Sequence, residues 1–128
     1  MSRKEIVTCD KFPPAKGPYS PAVRAGDFLF VSGQGPIDPT TGEALLGTIE
    51  EQTKLVLSNL RTILDGAGSS LGSVVKTTVY VTNMDDFAAM NGVYASFFPE
   101  APPARTTIQA ARLPLGIAVE IEAVALVE

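Results

Sequence analysis

Histidine is absent from the 128 residues. That gap removes Ser–His and Cys–His nucleophilic pairs and most zinc sites built on imidazole. Cysteine occurs once, at Cys9. No internal disulfide can form, which is compatible with a reducing compartment. Only Lys11 lies near enough in sequence to favour a thiolate, so Cys9 is expected to be a small, half-buried strand residue and not a reactive thiol. No run approaches the roughly 20 apolar residues of a membrane span, and the basic start MSRKEIVTCDK has no apolar run of the secretory kind behind it. The expected setting is the cytoplasm, with no membrane partner. Positive charge is also scarce: 10 Lys and Arg against 14 Asp and Glu give net charge −4. The basic residues are scattered and form no stripe able to neutralise phosphates, so no nucleic-acid partner is expected. Repeats and low-complexity segments are lacking too.

What is present describes one globular domain, residues 1–128. Hydrophobic residues make up 45% and charged residues 19%, enough to build a core without disulfides at this length. EIVTC (5–9) alternates weakly, as a short strand does. KFPPAKGPYSPAV (11–23) is an extended loop, because each proline fixes φ and restricts the residue before it. Tyr19 sits within it. DFLFVSGQG (27–35) reads as a strand whose apolar Phe28–Val31 run calls for cover on both faces. It ends at Ser32 and Gly33, and glycine lets a backbone approach a ligand closely. SGQG is no dinucleotide fingerprint, since no helix follows it.

Residues 48–68 form the clearest helix. Thr48 and Glu51 match a capping box, and Val56, Leu60, Ile63 and Ala67 make one apolar stripe flanked by Ile49, Leu57 and Leu64. The β-branched run 73–82 follows as a strand. Residues 83–98 read as a second helix capped by Asn83, with an apolar face of Phe87, Met90, Tyr94, Phe97 and Phe98. Asn91 interrupts that face, and a buried amide must find partners in a loop backbone or a polar pocket. In the strand 104–111, Arg105, Thr107 and Gln109 share one face. In 118–127, Glu120 and Glu122 share a face with Val124 and Leu126, and Val119, Ile121, Ala123, Ala125 and Val127 point the other way.

The element order β-β-α-β-α-β-β predicts an α+β fold: one mixed sheet with both helices on one face. Two helices cover only that face. The strands at 28–31, 74–81 and 118–127 carry apolar residues on both sides, so the other face requires a partner chain. A homo-oligomer is expected. For Arg105 the residues alone leave two readings open, an ion pair with Glu120 or Glu122 and a grip on a bound anion.

Together GPYS (17–20), VSGQ (31–34), VKTTVYV (75–81), MNGVYASFF (90–98), PARTTIQAARLP (103–114) and VEIEAVA (119–125) resemble the Rid family of reactive-intermediate (imine) deaminases, also called endoribonuclease L-PSP. The resemblance spans nearly the whole chain in order. It implies a chorismate-mutase-like fold in a homotrimer with a barrel-like core and a cleft at each subunit boundary. The implied activity is hydrolysis of 2-imino or enamine acids, such as 2-aminoacrylate and 2-iminopropanoate, to the 2-keto acid and ammonia. Such species arise from pyridoxal-phosphate-dependent dehydratases; the deaminase itself is expected to need no cofactor and no metal.

By the same resemblance Arg105 grips the substrate carboxylate and Glu120 orients the attacking water and passes protons. Tyr19, Ser32, Gly33 and Asn91 line the cleft, and Thr107 contributes its backbone carbonyl where many members have a cysteine. Burial and Glu122 are expected to raise the Glu120 pKa and Arg105 to lower it. Two other readings are a trimeric module that binds keto or amino acids without turnover, and an endoribonuclease. The acidic charge, the lack of histidine and the lack of a basic aromatic platform argue against the latter.

Overall fold

A computed structural model describes residues 3–128; Met1 and Ser2, the start of the segment read for a leader, lie outside the described residues. The elements are β1 (Lys4–Val7), β2 (Ala22–Ala25), β3 (Phe28–Gln34), α1 (Ile49–Gly66), β4 (Val74–Val81), α2 (Phe87–Phe97), β5 (Ala104–Gln109) and β6 (Val119–Leu126). The strands form one mixed sheet in the order β1-β2-β3-β6-β4-β5. Only β4 and β5 pair in parallel, joined by the α2 crossover. The last strand, β6, fills the slot between β3 and β4 and is antiparallel to both.

Both helices pack on the same face, giving the α+β architecture expected. Val56, Leu57, Leu60, Ile63 and Leu64 of α1 are fully buried with Leu29, Val79, Val119 and Ile121 of the sheet. The Thr48 hydroxyl accepts from the Glu51 amide while the Glu51 carboxylate accepts from the Thr48 amide, so the capping box closes in both directions. Tyr94 of α2 is tied to β4 by a 2.7 Å hydrogen bond with the Thr77 hydroxyl. Two buried amides on α1 were not foreseen as anchors. Asn59 donates to the carbonyls of Gly35 and Ile37, and Gln52 accepts from the Ala118 amide, locking the loops around the start of β6 to the helix.

Four expectations are corrected. Ala22–Ala25, whose first two residues were placed in the proline-rich loop, is a strand: a two-residue turn at Gly26 (φ 61°) and Asp27 folds it against β3, with Ala25 opposite Phe28. Cys9 is an exposed free thiol beyond the end of β1, because the strand stops at Val7. The second helix starts late. Asn83 caps a 3₁₀ turn at Met84–Asp86, and the α-helix begins only at Phe87, which stays exposed. Finally, β4 is not apolar on both sides: Lys76, Thr78 and Tyr80 make its uncovered side polar.

The uncovered face is nonetheless apolar over β1, β2, β3 and the end of β6. Phe28 lies opposite Leu126 and Phe30 opposite Val124, and Ile6, Phe28, Phe30 and Leu126 are all exposed. Half-exposed side chains of this size each leave on the order of 1 kcal/mol of burial unrealised.

Candidate active site

The pairing registers decide where the named side chains point. On β4, Thr77 lies opposite Arg105 and Tyr80 lies opposite Glu120. Residues 77 and 80 differ by an odd number, so their side chains leave the strand on opposite faces. Within one chain Arg105 is therefore on the helix-covered side of the sheet and Glu120 is on the open side. The intrachain ion pair of Arg105 with Glu120 or Glu122 does not form, and the guanidinium is not among the causes that shift Glu120.

Glu120 lies in a cleft of about 570 Å³ with Tyr19, Ser32, Gly33, Lys16, Ile37, Leu115, Ile117 and Glu122 among its lining residues. A bulge makes the floor. Val31 pairs with Ala123 and Gln34 with Ile121, so Ser32 and Gly33 together face one residue of β6. The Glu120 carboxyl fits against Gly33; a Cβ there would stand 2.9 Å from Glu120 Cδ and closer still to Oε2. Ser32 is held by the loop before β2: its hydroxyl donates to the Ser20 carbonyl at 2.6 Å, and its amide donates to the Pro21 carbonyl at 3.0 Å. With that hydrogen committed, and no histidine base in the chain, Ser32 is a wall and not a nucleophile. The Tyr19 hydroxyl accepts from the Lys16 amide at 3.0 Å, which folds its ring back on the proline-rich loop.

Burial raises the Glu120 pKa above the ordinary glutamate value, and the nearby Glu122 carboxylate adds to the shift. Glu122 accepts a 2.6 Å hydrogen bond from the Tyr80 hydroxyl, so its charge is fixed in place beside Glu120. Of the two opposing effects expected at Glu120, one chain supplies only the raising one.

The cationic half lies across the sheet. The Arg105 guanidinium stands 4.7 Å from the ring centroid of Tyr94 and 5.6 Å from that of Phe87, both on α2. The two rings hold it by cation–π attraction without consuming its hydrogen-bond donors. Asn91 shares this helical face, and Thr107 shares the strand face with Arg105. The Asn91 Oδ1 and Thr107 Oγ1 atoms are buried with no hydrogen-bond partner. Two orphaned acceptors flanking a free guanidinium are costly unless something else satisfies them. Gln109, next along the same face, accepts from the Met84 amide at 2.7 Å and so pins the turn before α2.

The chain thus gathers Tyr19, Ser32, Gly33 and Glu120 into one half-site and Arg105, Asn91 and Thr107 into another. Sequence reasoning missed Lys16, Ile37, Leu115 and Ile117 of the cleft wall. The signal was available in the proline-rich loop and in the loops that follow the GQG and RLP stretches, but which side chains turn inward depends on turn geometry. Arg112 is exposed and makes no ion pair among the described residues. No three His, Cys, Asp or Glu side chains among the described residues cluster as a metal site, and no described helix is long and apolar enough to cross a membrane.

The family model described as Endoribonuclease L-PSP matches residues 9–127. The chain belongs to the Rid, or endoribonuclease L-PSP, family. A RutC family protein of Pyrococcus horikoshii is 51% identical over 122 residues, 95% of this chain and 97% of that one. The mouse protein named 2-iminobutanoate/2-iminopropanoate deaminase is 42% identical, over 95% of this chain and 90% of its own length. The crystal structure of E. coli TdcF with bound serine superposes with a TM-score of 0.91 at 39% identity, covering 97% of this chain and 99% of the other. Relatives of the Rid chain therefore include a deaminase of 2-imino acids and a protein that holds a small amino acid.

Proposed function

We propose that this Rid protein hydrolyses 2-imino acids at a cleft completed by two copies of the chain, in a closed homotrimer. The observation that carries the reading is the split site. Arg105 with two orphaned acceptors occupies one face of the sheet, and a raised-pKa glutamate in a cleft occupies the other, next to an apolar surface that needs a partner. Packing the open face of one copy against the β5 edge of the next would join the halves and bury Phe28 and Phe30 at once. This is the expectation carried by the chorismate-mutase-like trimer.

In that cleft Arg105 takes the substrate carboxylate in two parallel hydrogen bonds, its position held by Tyr94 and Phe87. The protonated imine offers N–H donors to Asn91 Oδ1 and Thr107 Oγ1, and the Thr107 carbonyl holds the water. Glu120 accepts a proton from that water as its oxygen bonds to the C=N carbon. The same carboxyl returns that proton to nitrogen, then takes the hydroxyl proton as the C–N bond breaks, and the departing ammonia carries that proton away as ammonium. The balance is R–C(=NH₂⁺)–COO⁻ + H₂O → R–CO–COO⁻ + NH₄⁺. A carboxyl whose pKa is lifted toward neutrality suits both halves of this exchange, and no cofactor or metal is required by it. Glu120 of one copy then feels the cation from its neighbour as well as burial.

The test generates 2-aminoacrylate in situ with a serine dehydratase and follows pyruvate. The wild type should speed pyruvate release. The reading fails if it does not; in that case, keto acids that still raise the melting temperature would mark a binding module without turnover.

A further inference from the structure

The part of the cleft that one chain lines is already larger than a three-carbon acid requires, and the larger share of its exposed surface is apolar. About 570 Å³ lies within the 300–1,000 Å³ of pockets that enclose drug-sized ligands. The polar groups Ser32, Glu120 and Glu122 come from the strands, and Lys16 adds a cation from the proline-rich loop. The apolar part of the wall comes from loops: Tyr19, Ile37, Pro114, Leu115 and Ile117. Two features show that this wall is built. Ile117 is buried against Gly35, where a Cβ would stand 2.9 Å from its Cδ1. Leu115 adopts left-handed backbone angles (φ 61°, ψ 17°), followed by Gly116 at φ 70°. That region is costly for a side chain bearing a Cβ, and glycine or asparagine is its usual occupant. Here a leucine accepts the cost and leaves its side chain 55% exposed at the mouth of the cleft. Leu115 thus presents its apolar side chain to the cleft with the buried Ile117 packed behind it, and strain of this kind gathers at functional sites.

We propose that Leu115, with Ile117 and Ile37, forms a side-chain subsite that selects 2-imino acids with a branched or long apolar side chain over the alanine-derived imine. The inference rests on the deaminase reading above and names its substrate class. Glu120 and Arg105 treat every 2-imino acid alike, because they touch only the carboxylate and the C=N group. Discrimination must come from the surface that meets the substituent on the other side of that carbon.

The test uses an L-amino-acid oxidase with catalase to form the imines of leucine and alanine, and measures how fast the full-length protein removes each from competition with semicarbazide. The wild type is expected to favour the leucine-derived imine by at least about tenfold in kcat/KM, the scale set by an apolar group in a matched pocket. Leu115→Gly suits its backbone angles, so it should melt no lower than wild type, and it should bring the preference down to about twofold or less. A wild type that favours the alanine imine, or a Leu115→Gly protein that keeps the tenfold preference, overturns the proposal. Turnover of neither imine overturns the deaminase reading instead. In that event 4-methyl-2-oxopentanoate must raise the melting temperature more than pyruvate does; equal shifts overturn the apolar subsite as well.

Discussion

On the helix-covered face Leu29, Val79, Val119 and Ile121 are fully buried, while Phe28 and Phe30, in the same strand as Leu29, are left 42% and 46% exposed on the other. The chemistry divides along the same plane. The covered side presents a guanidinium held by two aromatic rings and flanked by acceptors without donors. The open side presents a glutamate, raised by burial and by a second carboxylate, in a cleft whose lining cation, Lys16, is committed to the Gly42 carbonyl. The guanidinium that could take a carboxylate is on the other side. One chain holds the two sets apart on opposite faces of its sheet, and under the proposed function a second copy would bring them together.

The largest effect expected of any substitution is at Arg105. Arg105→Ala should lower kcat/KM on 2-aminoacrylate by at least about 10³-fold, since both binding and orientation of the carboxylate go with it. Arg105→Lys should recover little, because an ammonium has no planar fork. Activity within tenfold of wild type in either variant would remove the covered side from the site.

Neighbouring residues of β3 sharpen the contrast between faces. Leu29→Ala should cost about 2–5 kcal/mol of folding stability, seen in denaturant melts. Phe30→Asp should leave the monomer folded but shift light-scattering mass to one chain, with activity falling in parallel. If Phe30→Asp stays assembled, the open face is not the contact.

A smaller effect is expected at the bulge. Gly33→Ala forces the flexible end of Glu120 aside, so kcat should drop by roughly tenfold while the fold holds, the scale of a misplaced acid–base group.

The smallest effect is a pH dependence. Glu120 has its pKa raised in the folded chain. Its contribution to stability is therefore present at acid pH and is lost as pH rises through the folded value. Glutamine does not titrate. In the Phe30→Asp background, free of Arg105 from a neighbouring copy, the melting temperature of Glu120→Gln minus that of Glu120 should grow as pH rises from the ordinary glutamate range to neutrality. A difference that shrinks instead would mean the carboxylate is stabilised, not desolvated.

Much of this arrangement was legible in the residues. Thr48 and Glu51 announce α1 because capping is local, and the parity of Val119, Ile121, Ala123 and Ala125 announces the buried side of β6. β2 was hidden because four residues behind a proline-rich loop become a strand only through the Gly26–Asp27 turn and β3. Asn83 was correctly read as a cap, but its side chain accepts from the Asp85 amide and closes a 3₁₀ turn. The sharing of a face by Arg105 and Thr107, and by Glu120 and Glu122, followed from alternation alone. That these two sets face away from each other did not, because it depends on the register of both strands against β4.

The shared-site claim is tested most directly by mixing two dead proteins. Arg105→Ala and Glu120→Gln, each inactive alone, are unfolded together in equal amounts and refolded into mixed oligomers. A cleft that draws Arg105 from one copy and Glu120 from the next is intact whenever the mutated residues fall outside it, so about a quarter of the clefts, and of wild-type activity, should return. If the mixture stays as inactive as its components, each cleft takes both residues from a single chain and the account is wrong.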